Sequence, residues 1–227
     1  MENLTTRTEI LIGEDGVMTL ADKSVTLVGV GGVGGYVATL LVRAGVGHIT
    51  LVDFDKVAPS NLNRQVVATL GTVGRSKVEV LKEMLLNINA NLDCTIHDCR
   101  LTDNNVDEII KPCDICIDCI DSVKDKLALI VYCKSKGIEI ISAMGAGNRM
   151  DIPRFYLTDI FKTSGDGLAK AMRKKLREAG VKSLDVVTSE SQALKVEGTT
   201  VGSISYYPAM CGITLAAVVV NRFLKEK

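Results

Sequence analysis

The sequence predicts an α/β fold: a Rossmann-like, mostly parallel sheet with helices on both faces and a C-terminal α+β extension. Three observations carry that prediction. Short, continuous apolar runs alternate with segments of helical periodicity, the pattern of strands buried on both faces. A glycine loop, "GVGGVG" at 29–34, stands between such a run and a helical pattern. An aspartate, Asp53, closes the next apolar run, 19 residues after Gly34.

In chain order, "SVTLVGV" (24–30) reads as a buried strand and "YVATLLVRAG" (36–45) as a helix closed by Gly45. "HITLVDF" (48–54) is the next strand. Residues 75–89 form a helix, because Val78, Leu81, Leu85 and Ile88 recur at helical spacing. A weaker strand at 93–99 and a short helix near 102–111 follow. A strand at 114–120, a helix near 122–136 and a strand at 138–143 complete a nucleotide-binding core over 1–148. The rhythm then changes. Residues 149–227 read as an extension of one 1–227 domain. It holds strands at 154–159, 184–189 and 202–207, a basic helix at 166–180 and a C-terminal helix at 209–225.

The 227 residues are 47% hydrophobic, enough for a real core, and 27 basic residues balance 27 acidic ones. No global charge marks a nucleic-acid binder, although a local patch still can. The apolar run Ala209–Val220 is too short to span a bilayer and reads as a buried helix, so no membrane partner is expected. Seven cysteines without an export signal read as reduced thiols of a cytoplasmic protein. Cys113, Cys116 and Cys119 sit in "PCDICIDCID". On a strand, Cys116 would face away from the other two. Those two would lie about 20 Å apart, which argues for core packing against a zinc site.

Gly29, Gly31 and Gly34 fit the dinucleotide fingerprint in its strand–loop–helix context, with Asp53 as the ribose acceptor. Such glycines let backbone approach a phosphate, and a helix N-terminus supplies free N–H groups. The loop carries no lysine, so a triphosphate needs cations from elsewhere. "DFDKVAPSNLNRQ" and "GRSKVEVL" supply Arg64 and Lys77, with Asn61 three residues before Arg64. Asp121 follows a strand in "DCIDS". Ligands of open parallel sheets bind at the strands' C-terminal edge, so Asp53, Asn61, Arg64, Lys77 and Asp121 are expected to converge there. Two cations and a carboxylate suit ATP with Mg²⁺, Asp121 holding the metal directly or through a water.

With those residues, "GVGGVGG", "LVDFDKVAPSNLNRQ", "GRSKVEVLK" and "DICIDCIDS" resemble the superfamily of ThiF, MoeB and the ubiquitin-activating enzymes, which adenylate carboxylates. The resemblance implies that Gly32 contacts the nucleotide and that Ser60, Asn61, Arg64 and Lys77 line the triphosphate. Asp55 and Ser122 complete the candidate nucleotide-binding set. Arg7 matches an arginine that reaches into the partner subunit's site, which implies a homodimer. Members that form thioesters use a cysteine after the region matching "GAGN", and residues 145–205 contain none. Members acting on sulfur carriers usually hold zinc with two CxxC pairs; here the only late cysteine is Cys211, so no structural zinc is expected.

Residues 142–190 resemble another branch, the tRNA threonylcarbamoyladenosine dehydratases. These activate the carboxylate of a modified adenosine beside the anticodon, and an internal nitrogen then closes a ring. That step needs no enzyme thiol, and Cys211 reads as a buried helix residue. Lys162, Lys170, Arg173, Lys174, Lys175, Arg177 and Lys182 supply a surface for tRNA, with Leu168, Met172 and Leu176 turned inward. The same resemblance leaves room for a sulfur-transfer partner. The alternatives are adenylation of a ubiquitin-like sulfur carrier, an NAD-linked oxidoreductase and a silent nucleotide-binding scaffold.

Overall fold

The computed structural model describes residues 2–198 and 200–225. Its elements are α1 (Thr6–Ala21), β1 (Ser24–Val28), α2 (Gly34–Ala44), β2 (His48–Asp53), α3 (Lys77–Leu86), β3 (Asp93–Asp98), α4 (Val106–Ile109) and β4 (Ile115–Asp118). Then come α5 (Val123–Lys136), β5 (Ile140–Ala143), β6 (Phe155–Asp159), α6 (Gly167–Glu178), β7 (Asp185–Ser189) and α7 (Tyr206–Lys225).

All seven strands join one sheet in the order β3-β2-β1-β4-β5-β7-β6. Every pairing is parallel except β6 with β7. The chain runs outward from β1 through β2 to β3, then crosses back to place β4 on the other side of β1. That reversal splays the loops after β1 and β4 apart and opens a crevice at their C-terminal ends. The extension adds its two strands to the β5 edge of the same sheet.

Each sheet face buries its own apolar cluster. One cluster joins α2, α3 and α7 through Leu41, Leu81, Leu215 and Phe223; the other joins α5 and α6 through Leu129, Ile130, Met172 and Leu176. Helices therefore cover both faces, as the continuous apolar strands require. By length and composition α7 could cross a membrane, yet half of it is buried, with Leu215, Val219 and Phe223 in the core. The helix outruns the apolar segment Ala209–Val220 because Tyr206–Pro208 and Asn221–Lys225 continue it. Pro208 is tolerated there because first-turn N–H groups lack helical partners anyway.

Two expectations need correction, and one helix went unread. Residues 202–205 form no strand, and Tyr206 and Tyr207 open α7. Tyr207 packs edge-on against Phe155, 5.3 Å between centroids. Helix α1 carried no clear sequence signal, because Gly13 breaks it at φ 71° and its apolar residues point largely outward. Cys113 lies before β4, so strand alternation does not apply to it. It packs on the face of Cys116 and Cys133, while Cys119 packs on the other face. A hydrogen bond with Cys133 and burial hold the Cys116 thiol well above its ordinary pKa.

Candidate active site

The crevice after β1 and β4 holds a cavity of about 390 Å³. Gly29, Gly31, Gly32, Asp53, Asp55, Asn61, Arg64, Lys77 and Asp121 all line it. Two of the loop's glycines are dictated by space. Gly29 sits at φ 90°, and a Cβ there would stand 2.7 Å from the Cys119 carbonyl oxygen. A Cβ on Gly34 would stand 1.8 Å from the Gly29 carbonyl oxygen. Gly34 therefore closes the turn and does not line the cavity.

Asp53 ties the loop to β2. One carboxylate oxygen accepts the Val30 N–H at 2.7 Å and the other the Asp55 N–H at 2.8 Å. Burial raises the Asp53 pKa above the usual carboxylate value, against the lowering by those two N–H groups and the Lys77 charge. Each oxygen keeps a lone pair for a ribose hydroxyl.

The cations are pre-positioned. The segment after β2 folds into a short 3₁₀ turn, Pro59–Asn61, in which the Asn61 side chain accepts the Ala58 N–H at 3.0 Å. Arg64 donates one nitrogen to the Ser60 carbonyl at 2.7 Å and to the Asn63 side chain at 3.0 Å. Ser60 thus acts through its backbone, and its side chain stays outside the cavity lining. Lys77 is buried and pairs with Asp55 at 2.7 Å. Its N–H also bonds the Asp55 carbonyl at 3.0 Å, and Val57 bonds Arg75 at 2.9 Å, so the two loops are zipped together. Ser122 precedes α5 and does not line the cavity. Arg7 is exposed on α1 and is likewise absent from the lining.

Beneath Asp121, a buried network fixes the loop after β4. Lys126 and Asp118 are both wholly buried and pair at 2.8 Å. The Ser142 hydroxyl donates to the same carboxylate oxygen at 2.7 Å, and the other oxygen accepts the Ile120 N–H at 3.0 Å. Asp121 itself makes no hydrogen bond or ion pair among the described residues. Nor do three His, Cys, Asp or Glu side chains gather there as metal ligands.

Several lining residues carried no usable sequence signal. Gln65 is buried under the glycine loop with its Oε1 unpartnered; it ends "SNLNRQ", and the motif hid it in plain view. Arg100 pairs with buried Asp125 at 2.8 Å and lies over the Phe54 ring at 5.5 Å. Val201 and Ser203 reach the cavity from the segment before α7, and Leu168 reaches it from α6. The α6 contact is secured by Arg149, which is buried and donates to the Gly145 and Ser191 carbonyls and to Asp166 at 3.1 Å. Asp166 caps α6 by accepting the Ala169 N–H at 2.7 Å.

On α6, Met172 and Leu176 face the core and Leu168 is half-buried. Of the basic residues, Arg173 turns inward to the Thr163 carbonyl at 3.0 Å and Arg177 lies over Phe161 at 5.2 Å. Lys162, Lys170, Lys174 and Lys182 are exposed. Two thiols lining the cavity, Cys99 and Cys119, have pKa values raised by burial, and burial pushes Cys211 up to about 12. All three are poor nucleophiles at neutral pH.

The profile of the ThiF family matches residues 5–227. The chain is 34% identical over 239 residues to the tRNA threonylcarbamoyladenosine dehydratase of Bacillus subtilis, covering 97% of this chain and 94% of that one. The crystal structure of the Escherichia coli tRNA N6-threonylcarbamoyladenosine dehydratase with ATP superposes with a TM-score of 0.89 at 33% identity, covering 96% of this chain and 92% of that one. The same enzyme with AMP gives a TM-score of 0.90 at 32% identity, with the same two coverages.

Proposed function

The chain belongs to the ThiF family, and on that premise we propose that it is an ATP-dependent tRNA threonylcarbamoyladenosine dehydratase. One observation carries the reading: a glycine loop, the aspartate tied to it, two cations and an unpaired carboxylate line a single cavity at the sheet's reversal point. We treat residues 1–227 as one adenylating unit.

ATP enters with its ribose on Asp53 and its phosphates over the glycine loop. Arg64 and Lys77 neutralise the β- and γ-phosphates. Lys77 must share its charge between Asp55 and the phosphate, which keeps it aimed into the cavity. The substrate carboxylate attacks the α-phosphorus, and the bond to pyrophosphate breaks. No base is needed, since the carboxylate is already ionised. Cations placed where the leaving group gathers charge stabilise the transition state. The nitrogen within the same substrate then attacks the acyl carbon, AMP leaves, and the nitrogen loses its proton. Proximity supplies much of that second acceleration. The high pKa of Cys99, Cys119 and Cys211 agrees with a route that uses no enzyme thiolate.

Magnesium, when bound, screens the triphosphate charge. Asp121, an unpaired carboxylate lining the cavity, would hold it there. The exposed lysines beside α6 supply a cationic face for tRNA phosphates. We further propose a homodimer. Helix α1 exposes Ile10 (74%), Leu11 (84%) and Met18 (60%), an unusual apolar row for a free surface. In that dimer Arg7, on the same helix, would serve the partner subunit's cavity.

Mass spectrometry of tRNA nucleosides tests the function. Wild-type protein with ATP and magnesium should remove one water from threonylcarbamoyladenosine. Arg64→Ala and Lys77→Ala should each lower the rate by about 10²-fold or more, the scale of losing one transition-state donor. Wild-type protein that leaves the nucleoside unchanged while catalysing ATP–pyrophosphate exchange that depends on a carrier protein ending in Gly-Gly refutes the proposal.

A further inference from the structure

A second cavity of about 410 Å³ abuts the first and shares Ser203 with it. Its walls are apolar, from Met150, Leu194, Val196 and Ile204. Asn63 and Asn148 add two carboxamides. The chain builds it by folding residues 194–198 and 200–205 across the loop after β5. Asn148 holds that segment with three bonds. Its N–H donates to the Gly202 carbonyl at 2.8 Å, its Oδ1 accepts the Gly202 N–H at 2.5 Å, and its carbonyl accepts the Leu194 N–H at 2.6 Å. To make them Asn148 adopts φ 55°, the left-handed conformation that asparagine tolerates best after glycine.

We infer that this second cavity is the acceptor subsite: it receives the N6-modified adenine, stacked between apolar walls, while the carboxylate arm passes Ser203 into the nucleotide cavity. The inference rests on the dehydratase reading above. Four features point to this occupant. The volume lies in the range of small-molecule sites, which are mostly apolar with a few polar groups. A flipped base is read by contacts to its faces and edge, and the Asn148 Nδ2 group is a free donor for a ring nitrogen. Asn63 joins the two cavities, donating to the Ser203 carbonyl at 2.9 Å while accepting from Arg64 at 3.0 Å. A substrate held against Ser203 thus lies beside the residue that positions a phosphate-binding cation. Finally, the rim is apolar and open, with Leu194 50% and Val196 45% exposed, so a base can enter from solvent.

The test fills the cavity from its rim with Val196→Trp and, separately, Leu194→Trp. Neither side chain lines the nucleotide cavity. Steady-state rates are measured against ATP and against an anticodon stem-loop carrying threonylcarbamoyladenosine. The expected result is a KM for the stem-loop raised at least about tenfold with the KM for ATP within about twofold. Calorimetry of wild-type protein with the free nucleoside N6-threonylcarbamoyladenosine should give binding that both variants lose. Unchanged stem-loop KM in both variants, or an equal rise in the KM for ATP, overturns the assignment. So does a variant that blocks only pyrophosphate exchange driven by a Gly-Gly-ended protein tail. If wild-type protein makes no cyclised nucleoside, the dehydratase reading fails by itself, and nucleoside calorimetry still reports on the cavity.

Discussion

Replacing Lys126 by methionine should cost about 3–5 kcal/mol, because it strands a buried charge. Lys126 and Asp118 are both fully buried and 2.8 Å apart. Methionine fills nearly the same volume, so packing loss is small. The Asp118 carboxylate keeps the Ser142 hydroxyl and the Ile120 N–H but loses its countercharge. For a chain of this size each kcal/mol is worth about 2–4 °C, so Tm should fall by about 6–20 °C. Scanning calorimetry measures it. Pairing the change with Asp118→Asn removes the stranded charge and should restore at least about half of the loss. The same network fixes the Ile120 N–H at the cavity wall, so pyrophosphate exchange should fall in the single variant at temperatures where it is still folded. A single variant within about 1 kcal/mol of wild type, or a double variant no more stable than the single, refutes the reasoning.

Two further outcomes follow from the geometry. Gly34→Ala places a methyl 1.8 Å from the Gly29 carbonyl, so urea unfolding should show a loss of about 1–3 kcal/mol, and ATP titration should show weakened binding because the loop must shift; unchanged values in both would disprove the contact. Stability should decline in alkali: burial pushes Cys94 up to about 11 and Cys211 up to about 12, so from about pH 9 the unfolded chain releases thiol protons that the folded chain retains. The contribution is complete below about pH 9 and is lost as pH climbs through the folded values, so urea midpoints should drop across that window, less steeply in Cys94→Ala; a flat profile would contradict the burial.

The sheet was legible because its parallel strands are buried on both faces, and uninterrupted apolar runs such as "SVTLV" have no other economical reading. The cavity's cations were legible for a different reason. Arg64 lies in the loop after β2 and Lys77 opens α3, both at positions fixed by a fingerprint, so placing Gly29 and Asp53 placed them too. What escaped was whatever depended on the tertiary partner alone. Helix α1 is held by α7 and hides few apolar residues, so its periodicity is faint. Residues 202–205 alternate like a strand, yet Asn148 and Asn63 recruit their backbone for other bonds. Arg100 and Asp125 are 25 residues apart in sequence and meet only once the segment after β3 and the first turn of α5 are both folded. Arg173 looked like part of the cationic face until Thr163 claimed it.

Arg149 is a single guanidinium shared by three stretches of chain: the carbonyl of Gly145, the carbonyl of Ser191 and the carboxylate that starts α6. The consequence is mechanical. Tilting the start of α6 must therefore pull on the cavity wall at Gly145 and on the chain at Ser191 through one side chain.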